Sequence, residues 1–251
     1  MQKIIEFTSE FDGTNRKALL IVPPDAGKEP LPLIIVPHAA GFSAEKTADY
    51  WKPRLAKRRA MAIFPFGHGR KLDLFSLGWR GQIADLAYMP RLLPTIGYPV
   101  DDKRIYAAGI SMGGMELLLL AGSHPNLLSG VITFNALVDL SAWYYDPSAN
   151  DPILREEIGG GPDEMPEAYA ERSPINYSTT IVRTPTMMYW DPNDEIVHLQ
   201  REKQSGFLYR KVKEIDPHAP IWERTHDKGH FWVNPRLALD WLLNEEWRNQ
   251  W

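Results

Sequence analysis

Short apolar runs alternate with amphipathic stretches along most of this chain, which predicts a mostly parallel central sheet with helices on both faces. The opening reads as a hairpin, in which Lys3–Phe7 and Lys17–Val22 flank the turn-rich Asp12-Gly13-Thr14-Asn15. Pro23-Pro24 and Pro30-Leu31-Pro32 then mark a surface loop. Further strands are expected at Leu33–Val36, Ala60–Phe64, Ile105–Ala108, Gly130–Phe134, Thr186–Tyr189 and Ile221–Thr225. Helices are expected at Ala44–Arg58, Gly81–Leu93, Met112–His124 and Pro235–Trp251. The last carries Leu237, Trp241, Leu242 and Trp247 on or near one face.

One stretch breaks the alternation. Residues 139–180 hold Trp143-Tyr144-Tyr145, Gly159-Gly160-Gly161-Pro162 and several more prolines, without a clear strand. So long an insertion in an α/β unit is expected to be a functional cap or lid. The alternative is a surface excursion built on two short helices, Pro152–Ile158 and Pro166–Arg172. Trp143, Tyr144 and Tyr145 are candidates to line an apolar acyl or aromatic pocket, although aromatic clusters also serve as core. The whole chain, 1–251, is expected to form one domain with this segment as its insertion.

Composition narrows the partners. The 251 residues carry a formal net charge of -4, which disfavours nucleic acid and anionic membranes. No apolar run approaches the ~20 residues needed to span a bilayer, and the N-terminus lacks the features of a signal peptide. The cytoplasm is the default compartment. Cysteine is absent, which removes disulfides, thiolate catalysis and Cys-ligated metal. His226 and His230 straddle a glycine in an expected loop, so no metal is expected, and no cofactor either.

The candidate chemistry sits at Gly109-Ile110-Ser111-Met112-Gly113-Gly114, between a strand-like run and a helix-forming one. Gly-x-Ser-x-Gly in that context is a nucleophile elbow: the glycines let strand and helix approach while the serine sits strained at the tip. The other reading is a βα turn whose serine caps the helix. A serine hydroxyl needs a general base, and the base needs an orienting acid, both downstream in the order Ser, Asp, His. His230, in the glycine-marked loop before the last helix, is the expected base, with His226 as runner-up. The acid is expected after Thr186–Tyr189, where Asp194 is preferred and Asp191 is the alternative. Two backbone N–H groups should stabilise the oxyanion: that of Met112 and one from the loop Pro37-His38-Ala39-Ala40-Gly41-Phe42. Ala39 and Ala40 are the candidates there, and His38 is expected to brace the loop.

With these residues in hand, the chain resembles the α/β-hydrolases, within them the prolyl-oligopeptidase-like (dienelactone-hydrolase-like) serine esterases and peptidases. The resemblance runs from about Leu33 onward. It rests on the elbow, on Asp191-Pro192-Asn193-Asp194-Glu195-Ile196-Val197, on Gly229-His230-Phe231 and on Pro166–Ile175. It implies an α/β-hydrolase fold with Ser111 as nucleophile, Asp194 as acid and His230 as base. Two positions depart from the family pattern: His38-Ala39-Ala40-Gly41 replaces His-Gly-Gly, and Asp191 stands where a glycine usually precedes the acid. Peptidases of the group typically carry a large propeller, for which this length leaves no room. The expectation is therefore hydrolysis of a small-molecule carboxylic ester through an acyl-enzyme. The alternatives are a peptidase or amidase of the same group and a non-catalytic binding protein on the same fold.

Overall fold

The computed structural model describes residues 1–245 and Trp247. Strands β1 (Gln2–Thr8) and β2 (Asn15–Ile21) form the expected hairpin. Then follow β3 (Leu31–Ile35), α1 (Ala44–Leu55), β4 (Met61–Pro65), α2 (Arg80–Thr95), β5 (Val100–Ile110) and α3 (Ser111–Ser123). After β6 (Gly130–Phe134) come four short helices: α4 (Leu140–Tyr144), α5 (Asp151–Ile158), α6 (Pro166–Glu171) and α7 (Ser178–Ile181). The chain closes with β7 (Thr186–Trp190), α8 (Ser205–Ile215), β8 (Ile221–Thr225) and α9 (Pro235–Leu243). The helix expected over 235–251 thus ends at Leu243, and positions 246 and 248–251 of that span lie outside the described residues.

The eight strands make one sheet in the order β1-β2-β4-β3-β5-β6-β7-β8. β2 pairs antiparallel with β1 and β4, and every other pair is parallel. Alternate residues of a strand face opposite sides of its sheet, so the all-apolar β3 needs cover on both. Leu33 and Ile35 pack in one cluster with Leu86 and Met89 of α2 and Leu117 of α3. Ile34 packs on the other side with Trp51 of α1 and Leu239 and Leu242 of α9. A third cluster sets Leu208 and Val212 of α8 against Met188 and Trp190 of β7. Among the described residues, no helix is long and apolar enough to cross a membrane.

The insertion of residues 139–180 is fastened from within. Glu157, at the end of α5, is fully buried, and its carboxylate accepts the N–H groups of Arg70 (2.6 Å), Lys71 (2.9 Å) and Leu72 (2.9 Å). Arg172, just past α6, lies 3.5 Å from the same carboxylate and donates to the carbonyl of Ser76 at 3.3 Å. A buried ion pair is tolerated when hydrogen bonds satisfy what the charges leave over, and here three backbone donors do so. This network joins the insertion to the loop that leads into α2.

Candidate active site

In a mostly parallel sheet, the loops leaving the strand C-termini crowd one edge, and functional groups gather there. β5 delivers Ser111. The residue is 6% exposed and has φ +55°, a conformation L side chains rarely adopt. A strained non-glycine residue of this kind costs about 1–3 kcal/mol and persists only where its surroundings fix it. The flanking glycines are what fix it. A Cβ at Gly109 would lie 2.8 Å from the Gly113 carbonyl carbon, and one at Gly113 would lie 2.7 Å from the Pro37 carbonyl oxygen. Strand, helix and the loop after β3 therefore touch backbone to backbone. Ser111 also begins α3, whose free N–H groups favour negative charge.

The loops after β7 and β8 deliver an acid and a base in contact. His230 Nδ1 lies 2.8 Å from Asp194 Oδ2 and 3.0 Å from Oδ1, and both residues are buried. The carboxylate is held from behind. Its Oδ1 accepts the N–H of Ile196 and of Val197, each at 2.9 Å, and its Oδ2 accepts from Gln200 Nε2 at 3.3 Å. An ionised carboxylate only accepts, so this contact keeps a proton on Nδ1 and leaves Nε2 with its lone pair. That tautomer can take a proton from a hydroxyl.

Asp191 has different partners. Its Oδ2 accepts the Gly229 N–H at 2.8 Å and its Oδ1 the Asn193 N–H at 2.9 Å. It thus ties the loop carrying His230 to the end of β7. His226 stands 3.7 Å from Asp191 and packs on Trp232, with ring centroids 4.4 Å apart. Burial pulls its imidazole below the usual range. His38 is buried, its Nδ1 is 3.0 Å from the Ala39 carbonyl, and burial lowers its pKa as well. It braces the loop after β3 from inside.

In that loop, the N–H of Gly41 bonds to the Leu74 carbonyl and that of Phe42 to the Ala39 carbonyl. Among the described residues the Ala39 and Ala40 N–H groups have no backbone acceptor, and the same loop packs against the start of α3 through Pro37, His38 and Gly113. The Met112 side chain is buried, and its sulfur accepts the Leu77 N–H at 3.4 Å. A cavity of about 310 Å³ opens here, with Ala39, Ile110 and Phe231 in its wall.

Trp143, Tyr144 and Tyr145 are not in that wall. Trp143 is buried, and its Nε1 donates to the Ile196 carbonyl at 3.1 Å, steadying the turn that holds Asp194. Tyr144 accepts from Arg155 and packs edge-on against Tyr145 and Tyr169. Tyr145 is 60% exposed.

Sequence reasoning missed Asn135. It follows β6 with φ +45° and is fully buried. Its amide nitrogen donates to the carbonyls of His230 (2.7 Å) and Gly229 (3.3 Å), and its Oδ1 accepts the Asp191 N–H at 2.8 Å. One side chain thus bridges the acid-bearing and base-bearing loops. The only signal in the sequence is a polar residue ending an apolar strand, which is also ordinary turn chemistry.

Comparison with known proteins agrees with this architecture. The sequence profile of the prolyl oligopeptidase family matches residues 82–247, more than half of the chain. An uncharacterised peptidase of Bacillus subtilis (strain 168), YtmA, is 24% identical over 123 residues, 49% of this chain and 46% of that protein. The match thus spans less than half the length of this curated relative. Acylaminoacyl peptidase of Pyrococcus horikoshii superposes with a TM-score of 0.73 at 18% identity, over 99% of this chain and 41% of its own. An S-formylglutathione hydrolase of Agrobacterium tumefaciens superposes with a TM-score of 0.65 at 17% identity, over 100% of this chain and 95% of its own. These likenesses establish an α/β-hydrolase fold.

Proposed function

The chain belongs to the prolyl oligopeptidase family of serine hydrolases, and on that premise we propose that it hydrolyses carboxylic esters, with Ser111 as nucleophile, His230 as base and Asp194 as the acid that orients it. The observation that carries this reading is the buried contact between His230 Nδ1 and Asp194, together with a serine held at φ +55° at the tip of an elbow. As Ser111 Oγ bonds to the ester carbonyl carbon, His230 Nε2 takes its proton. The N–H of Met112 and that of Ala39 or Ala40 receive the oxyanion, each donor worth about 3 kcal/mol in the transition state. The C–O bond to the alcohol then breaks as Nε2 returns the proton to the leaving oxygen. Water repeats the sequence on the acyl-enzyme and frees the acid.

A compact apolar cavity supports an ester over a peptide. The space beside Ile110 and Phe231 is bounded mainly by aromatic and aliphatic side chains, suited to a small apolar group rather than to an extended backbone with its hydrogen bonds. A peptidase reading is favoured by the description of the curated relative as a peptidase.

Kinetics on unactivated alkyl esters and on N-acylated and free short peptides decide between them. We expect ester turnover with kcat/KM of about 10⁴ M⁻¹s⁻¹ or more, falling roughly 10⁶-fold in Ser111→Ala. Peptide cleavage at a comparable kcat/KM would replace the ester reading with the peptidase one.

A further inference from the structure

The cavity beside the elbow lies between α1 and the residues after His230. Ile110, which precedes Ser111, and Phe231, which follows His230, are both in its wall, with Trp51 and Val233. Three large rings at this cavity remain in water: Phe42 is 41% exposed, Tyr50 56% and Phe231 61%. Exposed apolar side chains scattered singly need no explanation, but several around one opening mark a surface that something apolar covers. The walls are also held in place. The Tyr50 hydroxyl donates to the Val233 carbonyl at 3.0 Å, and the rings of Phe42 and Phe231 lie 5.8 Å apart.

We propose that this cavity receives the alcohol portion of the substrate, and that this alcohol is neutral, apolar and about the size of one ring. The inference rests on the ester-hydrolase reading above. Its direction comes from the path of the proton. His230 must reach both the attacking and the leaving oxygen, so the leaving oxygen faces the imidazole, and the group it carries extends past the neighbours of His230. Those neighbours, Phe231 and Val233, are cavity wall. The acyl group is bonded to the same carbon and points away. An aromatic box also suits a quaternary ammonium, but Lys46 stands in the same wall and repels a cation.

The test uses acetates of ethanol and benzyl alcohol, whose leaving oxygens are similarly basic. The wild type should favour benzyl over ethyl by at least about tenfold in kcat/KM. That ratio should fall several-fold in Phe231→Ala, which removes a wall, and in Thr47→Phe, which fills the cavity from α1. The ratio of ethyl phenylacetate to ethyl acetate should respond less to either change. Between acetylcholine and its neutral isostere 3,3-dimethylbutyl acetate, the neutral ester should be preferred. A benzyl-to-ethyl ratio near one, or one that neither substitution moves, overturns the subsite while leaving ester hydrolysis intact. A preference for acetylcholine overturns the neutral character of its ligand. Turnover of no ester at all overturns the reaction class and the subsite together.

Discussion

Asp191 and Asp194 share one turn after β7, yet their hydrogen bonds give them separate tasks. Asp194 meets the imidazole of His230, whereas Asp191 meets the backbone of Gly229. Asp194→Asn should therefore lower kcat by about 10⁴, the consequence of a wrong imidazole tautomer. Asp191→Asn keeps an oxygen for the Gly229 N–H and should fall far less. Near-normal kcat in Asp194→Asn with a dead Asp191→Asn would reverse the two roles. Asn135 acts through its neighbours as a positioning residue. Asn135→Ala strips the carbonyls of Gly229 and His230 and the N–H of Asp191 of a partner. We expect kcat to drop by roughly tenfold to a hundredfold with little change in KM, alongside about 1–3 kcal/mol of lost stability. A lower melting temperature with an unchanged kcat would reduce Asn135 to a scaffold role. Ser111 and His230 stood out in the sequence because glycines and a strand or helix border punctuate them. Asn135 did not, because its partners lie 56 and 95 positions away and nothing local distinguishes it from a turn asparagine.

At the level of elements, the strands were legible because most contain a short apolar run bounded by turn residues, and the eight strands of the described residues overlap the runs the pattern marks, β5 extending well before its run at Ile105–Ala108. Helix α8 was missed although it is amphipathic, with Leu208 and Val212 buried and Phe207 and Tyr209 packed beside them, because Arg210, Lys211, Lys213 and Glu214 interrupt its apolar residues. The aromatic run at 143–145 drew attention as a pocket, whereas Trp143 steadies the acid turn and Tyr144 packs on Tyr169. Apolar residues at a strand end look alike whether they face a ligand or a neighbouring loop. The junction between α3, α2 and the insertion also carries a titration. Glu116 of α3 is fully buried, bonded to the Ser76 hydroxyl and to Gln82 Nε2 at 3.0 Å, with the Gly78 backbone and the Arg172 charge close by. Burial, the largest influence, pushes its carboxyl up to about 7. The folded protein therefore keeps a proton that the unfolded chain releases near the ordinary 4.5. The stability linked to this group is present below about pH 4.5 and is lost as pH rises through 7. The loss is on the order of 3 kcal/mol. Glu116→Gln cannot ionise, so in urea unfolding its stability relative to wild type should rise between pH 5 and pH 8. Parallel pH dependences would show that Glu116 ionises at the same pH folded and unfolded.

Across the whole molecule, residues from the C-terminal ends of β3, β5, β6, β7 and β8 converge on one edge of a single sheet. Hydrogen bonds and backbone contacts weld those ends: Gly113 against Pro37, Asn135 against both downstream loops, and Asp191 against Gly229. The architecture could be read from alternation and punctuation. Between the two aspartates the sequence prefers Asp194 with Asp191 as the alternative, and the contact of each depends on the three-dimensional reach of one turn, which sets Asp194 against His230 and Asp191 against Gly229. If Ser111 is a nucleophile activated by His230, a small fluorophosphonate will label it, which intact mass and peptide mapping can read. The expectation is one adduct per chain, on Ser111, and lost in folded His230→Ala. An adduct on another residue, or none on folded wild-type protein, would contradict it.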